Sequence, residues 1–140
     1  MRSIYDTLRD QTDLSTFCSA VETSEQQVLL SEYGPNTLFA PSDDAFDRLS
    51  IEYRDRVLND EGFLRELVDN HVVAGAFRSS DLEQHPFLRT NASEDLPVRD
   101  VDGLRVGGAR ILRTLVCENG VIHVTDSVLV PYEREDRLSA

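Results

Sequence analysis

Residues 36–49, Asn36-Thr37-Leu38-Phe39-Ala40-Pro41-Ser42-Asp43-Asp44-Ala45-Phe46-Asp47-Arg48-Leu49, constrain the fold more than any other stretch of the chain. Thr37 to Ala40 is short, apolar and partly β-branched, the pattern of a strand covered on both faces. Pro41 has no N–H to donate and stops the ladder. Ser42 is then placed to accept from the free N–H groups of the next turn, and Asp43 and Asp44 lie where a helix dipole favours negative charge. Ala45, Phe46 and Leu49 follow at helical spacing. The segment reads as a buried strand, a stop and a capped amphipathic helix.

Further along, Leu67-Val68-Asp69-Asn70-His71-Val72-Val73-Ala74-Gly75-Ala76-Phe77 joins a helical pattern to a strand pattern at a histidine, and Asn119-Gly120-Val121-Ile122-His123-Val124-Thr125-Asp126-Ser127-Val128-Leu129-Val130-Pro131 pairs a turn with two apolar runs. With Ser3-Ile4-Tyr5-Asp6 at the start, these segments resemble, in order and separation, the signatures of the fasciclin (FAS1) domain, whose first motif has the form T-x-F-A-P-(S/T)-x-x-A-F. The resemblance covers nearly the whole chain. It implies an α+β fold in which two small β-sheets form a wedge with helices packed along it. It also implies a binding module, not an enzyme.

The period of the pattern changes along the chain as that fold requires. Leu14, Phe17, Cys18 and Val21 recur on one helix face, with Thr12 or Asp13 as the expected cap. Ser24 and Gln27 have the form of a capping box opening a short helix through Leu30. Gly34-Pro35-Asn36 is a turn. Glu52 to Leu58 predicts a short helix that docks Tyr53, Val57 and Leu58 inward, and Asp60 to Asn70 a helix with a buried stripe of Phe63, Leu64, Leu67 and Val68. From His71 on, short runs of Val, Ile and Leu alternate with turns: Val72-Val73, Phe87-Leu88, Leu96 to Val101, Leu104 to Val106, Ile111 to Val116, Val121 to Val124 and Val128 to Val130. Asp102-Gly103, Gly107-Gly108 and Asn119-Gly120 are hairpin signals. Helices first and strands later argue for α+β. We expect a single domain over residues 1–132 and a charged, flexible tail over 133–140.

Composition excludes several function classes. The net charge is -12, from 26 acidic and 14 basic residues, and every basic residue is Arg. Such a surface repels phosphate backbones and anionic headgroups, so neither nucleic acid nor membrane insertion is expected. A GC-rich genome accounts for the missing Lys but not for the acidic excess, which resembles the surfaces of proteins from salt-loving organisms. No apolar run approaches the roughly 20 residues a membrane helix needs. Asp6, Arg9, Asp10 and Asp13 stand where a secretory leader would be apolar. By sequence the location is therefore cytoplasmic, by family habit extracellular.

No catalytic residues are expected: the chain has no phosphate-binding loop, dinucleotide fingerprint or Gly-x-Ser-x-Gly elbow. His71, His85 and His123 have no metal-ligand spacing, Asp43-Asp44-Asp47 lacks the form of a calcium loop, and no metal or other cofactor is expected. His123 shares a strand face with Val121, Ile122 and Val124 taking the other, and His85 reads as exposed. Cys18 and Cys117 read as buried thiols, with a single bridge between them left open. Asn91-Ala92-Ser93 has the glycosylation pattern, in a loop.

The resemblance places the candidate binding residues at Asn70 and His71. Adhesive family members carry a Tyr-His pair there that is connected with integrin recognition; here Asn70 replaces the tyrosine and removes the aromatic anchor. His71 is also readable as a buried residue satisfied by nearby polar groups. The implied function is adhesion-type binding of a protein or cell-surface partner by a monomer or weak homo-oligomer. The alternative is a carrier of a carotenoid, lipid or other apolar molecule in a cleft lined by Val72, Val73, Phe77, Leu88 and Leu96.

Overall fold

A computed structural model describes residues 2–130, apart from the side chain of Leu58. The charged tail expected at 133–140, like Pro131, lies outside the described residues. Helices come first: α1 (Ile4–Asp10), α2 (Ser15–Thr23), α3 (Gln27–Glu32), α4 (Asp43–Asp47), α5 (Ile51–Asn59) and α6 (Glu61–Asp69), with β1 (Asn36–Pro41) inserted before α4. Beyond α6 come β2 (Val72–Ala74), the short α7 (Ser79–Leu82), β3 (Phe87–Arg89), β4 (Asp95–Asp100), β5 (Leu104–Val106), β6 (Ala109–Cys117) and β7 (Gly120–Thr125). The fold is α+β, as the change of period predicts.

The strands hydrogen-bond in the order β2-β1-β7-β6-β5-β4-β3, which does not close into a barrel. The two halves of the order share β6. Its first residues, Ala109 and Arg110, pair with β5, whereas Ile111 to Cys117 pair with β7, and the register slips between Ile111 and Arg113. β1 lies between the edge strand β2, to which it is antiparallel, and β7, to which it is parallel, and every one of its residues is buried. A parallel pair needs both faces covered, which explains its near-continuous apolar sequence.

Alternation along β1 and β7 separates two cores. Leu38, Ala40, Ile122 and Val124 face the helices and pack with Ile4, Leu8, Phe17, Leu30, Leu67 and Val68. Phe39 points the other way and packs with Val73, Leu82, Leu88, Leu96, Val106 and Leu129. Each fully buried Leu or Phe contributes about 2 kcal/mol relative to exposure. The stripe on α6 is buried as expected, and Tyr53 and Val57 of α5 pack against the first core.

Several local expectations hold. Ser42 accepts the Ala45 N–H at 3.2 Å, and the helix expected from Asp60 starts there, Asp60 itself capping it through the Phe63 N–H at 3.0 Å. Gly107 and Gly108, at φ +59° and +85°, form the two-residue loop between Val106 and Ala109.

Others are corrected. Neither Thr12 nor Asp13 caps α2, whose N-cap is Leu14 with no side-chain bond of its own. The cap comes from Asp43, 27 residues ahead, whose Oδ1 accepts the Thr16 N–H at 2.8 Å while Oδ2 accepts the Ser15 hydroxyl. Ser24 opens no capping box; it closes α2, donating to the Ala20 carbonyl at 2.8 Å, and Gln26 begins α3. The hairpin near Asn119 turns one residue early, because Cys117 pairs with Gly120 and leaves Glu118-Asn119 as the loop. Gly120, at φ +150°, opens β7 rather than filling the turn, and a Cβ there would also overlap the Asn36 carbonyl oxygen of β1. Finally, Val128 to Val130 is not a strand. Its backbone is held by side chains.

Candidate functional site

Asn70 and His71 end α6 and turn the chain into β2. Both side chains are buried, at 1% and 0% exposure, and both are spent on Leu129. The Leu129 N–H donates to His71 Nε2 at 2.9 Å, and the Leu129 carbonyl accepts from Asn70 Nδ2 at 2.8 Å. His71 Nδ1 donates to the Leu67 carbonyl at 2.7 Å, which fixes the neutral tautomer. Asn70 Oδ1 accepts the Thr90 hydroxyl at 2.9 Å. Two adjacent side chains thus do for one residue what a neighbouring strand would do. Burial pushes the His71 pKa down to about 4, against the opposing effect of the Leu67 carbonyl. In this conformation neither Asn70 nor His71 is open to a partner; they hold the segment that covers them.

His123 does the same for another segment. It lies on the strand face opposite Ile122 and Val124, stacked on Phe39 at 5.5 Å. Its Nε2 donates to the Phe77 carbonyl at 2.6 Å, and its Nδ1 accepts from Thr114 at 2.9 Å. Burial lowers its pKa, with the Phe77 carbonyl opposing. The Phe77 N–H donates to Thr37 Oγ1 at 2.8 Å, so both backbone groups of Phe77 are gripped by side chains too. The two histidines are opposite tautomers because each meets a carbonyl with a different nitrogen.

The other candidates have structural partners. Both ring nitrogens of His71 are occupied by backbone groups, so it has no lone pair free to act as a base toward Ser127, whose hydroxyl donates to Asp126 at 3.1 Å. Asp43 caps α2. His85 is exposed against the edge of Phe77. Cys18 and Cys117 are buried, unbridged, and raised in pKa chiefly by burial. Among the described residues, no three His, Cys, Asp or Glu side chains come together to hold a metal ion. Asn91 is exposed in the turn between β3 and β4.

The cleft expected for an apolar ligand is filled. Val72, Val73, Leu88 and Leu96 are core residues, and Phe77 packs half-buried on the second core. An apolar groove between α4 and α5, lined by Phe46, Leu49 and Val57, has a volume of about 180 Å³.

A larger cavity, of about 410 Å³, opens at the end of the sheet where β1 begins, β2 ends and β6 turns into β7. Glu32, Tyr33 and Pro35 form one wall, Ala76 and Arg78 a second, and Val116 and Glu118 a third. Its frame is tied together by Asn119. The Asn119 side chain donates to the carbonyls of Leu30 and Tyr33 at 3.0 and 2.9 Å and accepts the Ile4 N–H at 2.8 Å. The Gly75 N–H reaches the Pro35 carbonyl at 2.9 Å. On this fixed frame Tyr33 is 60% and Val116 43% exposed. Sequence reasoning passed over the site, because its walls lie far apart in the chain; the available signal was an aromatic residue directly before the Gly34-Pro35 turn.

An α+β sheet without closure, α1 to α6 packed on one face, and buried polar side chains holding unpaired segments together are the features of a FAS1-type module. The chain matches the Fasciclin domain model over residues 12–131 and belongs to that family. Periostin of Homo sapiens is 29% identical over 134 residues, covering 93% of this chain and 16% of periostin. Transforming growth factor-beta-induced protein ig-h3 of Sus scrofa is 34% identical over 119 residues, covering 83% of this chain and 17% of that protein. The chain thus corresponds to a small part of either. A protein named heme ligase from Plasmodium falciparum is 29% identical over 124 residues, covering 72% of this chain and 60% of its own. Among solved structures, the FAS1 domain pair of the insect cell adhesion molecule Fasciclin I superposes with a TM-score of 0.56 at 19% identity, covering 81% of this chain and 41% of that one.

Proposed function

We propose that this domain is a non-catalytic binding module of adhesion type, which docks a protein or cell-surface partner at the end of the sheet around Tyr33 and Val116. The observation that carries this reading is an exposed tyrosine and an exposed valine on a backbone frame tied by Asn119. Aromatic side chains on a rigid frame make efficient anchors, since little conformational freedom is lost on binding. Family membership and the likeness to a cell adhesion molecule favour the same class of role. Asn70 and His71 enter as positioning residues that secure the Leu129 segment, not as contacts. The polar groups expected of a catalytic site are engaged in holding backbone, which weighs against the reaction suggested by the heme ligase name.

The alternative of an apolar carrier draws little support from the cavities. The residues expected to line its cleft are packed as core, and the groove at Phe46 and Leu49 is smaller than the roughly 300 Å³ from which small-molecule sites begin.

Two measurements test the proposal. Fractionation of source cells should recover the native protein at the surface or in the medium; recovery confined to the cytosol overturns adhesion. Source cells should also attach to the immobilised domain and lose attachment to the Tyr33→Ala/Val116→Ser double variant, while Ile51→Ser, exposed elsewhere, leaves attachment unchanged.

A further inference from the structure

We infer that the cavity at the end of the sheet receives a basic, extended segment of a partner protein, with an arginine or lysine held against Tyr33 between Glu32 and Glu118. This rests on the reading above and specifies the chemistry of the partner. Three walls, from residues 32–35, 76–78 and 116–121, meet around Tyr33 and Val116. The Tyr33 ring has no hydrogen-bond, ring or cation partner among the described residues, and neither the Glu32 nor the Glu118 carboxylate is in an ion pair among them. Elsewhere, carboxylates near a guanidinium do pair: Asp13 grips Arg113 at 2.8 Å, and Asp95 grips Arg89 at 2.9 Å. The cavity rim therefore offers two unspent carboxylates beside an open aromatic face.

That combination suits a cation with a flat or alkyl body. A guanidinium stacks on an aromatic ring and accepts carboxylate partners at its edge, and a lysine stem lies along the same apolar surface. Arg78 also lines the cavity, so the two carboxylates outnumber the one guanidinium there and leave it net acidic. The net charge of -12 draws such a partner in from a distance and repels acidic ones. An extended segment suits a cavity walled by three separate stretches of chain, whose backbone is already fixed by Asn119 and by the Glu118 N–H donating to the Arg2 carbonyl at 2.9 Å.

The test uses a fluorescent peptide of alternating arginine, glycine and serine, with a glutamate version of the same peptide as its twin, and reads polarisation against the purified domain at low and at physiological salt. The arginine peptide is expected to bind and the glutamate peptide not. Tyr33→Ala, and separately Glu32→Gln/Glu118→Gln, should weaken binding roughly fivefold or more, the scale of a cation–π contact or a well-placed ion pair. Glu61→Gln/Glu66→Gln removes the same charge from the wet face of α6 and should change binding by less than about twofold. Equal losses in the two double variants would show diffuse attraction and overturn the proposal, as would absence of arginine-peptide binding at low salt. Cell attachment that survives Glu32→Gln/Glu118→Gln overturns the cationic segment and leaves the binding module standing. Failure of cells to attach to the unaltered domain removes the module itself.

Discussion

The imidazole of His71 accepts the backbone N–H of Leu129 at 2.9 Å, across 58 residues of sequence. With Asn70 taking the carbonyl of the same residue, a helix end supplies the hydrogen bonds that a strand would otherwise give the last described segment. Leu129 in turn packs against Leu96 and Val106 in the second core. The junction between α6 and β2 thus fastens the middle of the chain to the segment around Leu129.

Removing that fastening should be costly. His71→Ala leaves a cavity and an unsatisfied buried N–H, and is expected to destabilise the domain by about 3 kcal/mol; Asn70→Ala should cost about 2 kcal/mol. The double variant should cost less than the sum, since both grip Leu129. Urea unfolding of the four proteins checks this, and costs under about 0.5 kcal/mol would show that the segment is not held in solution.

Acid should act on the same bond. The His71 pKa lies at about 4 in the fold, below the ordinary 6.5, so the neutral ring stabilises the folded state fully above pH 6.5. That contribution is lost as pH falls toward 4, because the unfolded chain takes up the proton first and the Leu129 N–H has no acceptor once the ring is charged. The loss is of order 3 kcal/mol, and His123, also lowered, acts in the same direction. Stability measured at pH 7, 5.5 and 4 should converge between the native protein and His71→Gln, which does not titrate. A gap that stays constant with pH would refute the assignment.

Gly120 and Gly108 both have positive φ and differ in the space around them. At Gly120, alanine would drive its Cβ into the Asn36 carbonyl and part β1 from β7, so Gly120→Ala should fail to fold or lose more than about 3 kcal/mol. Gly108, at φ +85° with nothing near its Cβ, should lose about 1 kcal/mol on the same change, from backbone strain alone. Thermal unfolding of the two variants decides the ranking.

Asp43 and Asp44 stand side by side at the start of α4, but only Asp43 reaches α2. Asp43→Ala should cost about 1–2 kcal/mol, as it uncaps α2, and Asp44→Ala less than about 0.5 kcal/mol. Equal losses would mean that the dipole of α4, not the bond to Thr16, is what matters.

Salt should stabilise the domain. With 26 carboxylates against 14 guanidinium groups, self-repulsion is strong in dilute buffer and screened at molar ionic strength. The midpoint of thermal unfolding is expected to rise between dilute buffer and about 1 M potassium chloride. An unchanged midpoint would count against a salt-adapted source.

Much of this architecture was readable in advance because its causes are local. Ser42 caps the helix that follows it through a bond three residues long, α6 shows its buried stripe at helical spacing, and Gly107-Gly108 turns a hairpin by its own φ angles. The alternation of Val121, Ile122, His123 and Val124 correctly divided the two faces of β7. Val128 to Val130 misled because an apolar β-branched run looks the same whether a strand or a pair of side chains satisfies its backbone. The candidate site was legible in part: burial of His71 among polar groups was readable, but not that Leu129 supplies one of them, and the cavity at Tyr33 was missed because its walls come from three distant segments.

The sequence by itself determined the elements, the order in which helices give way to strands, and membership of the fasciclin family, since propensity, capping and period act within a few residues. Only the tertiary structure decided that Asp43 caps a helix it does not belong to, that β1 leaves no room for a Cβ at Gly120, and that the His71 ring meets the Leu129 N–H. Those outcomes depend on which distant backbone groups come within hydrogen-bond reach once both cores are packed, and no local pattern encodes that proximity.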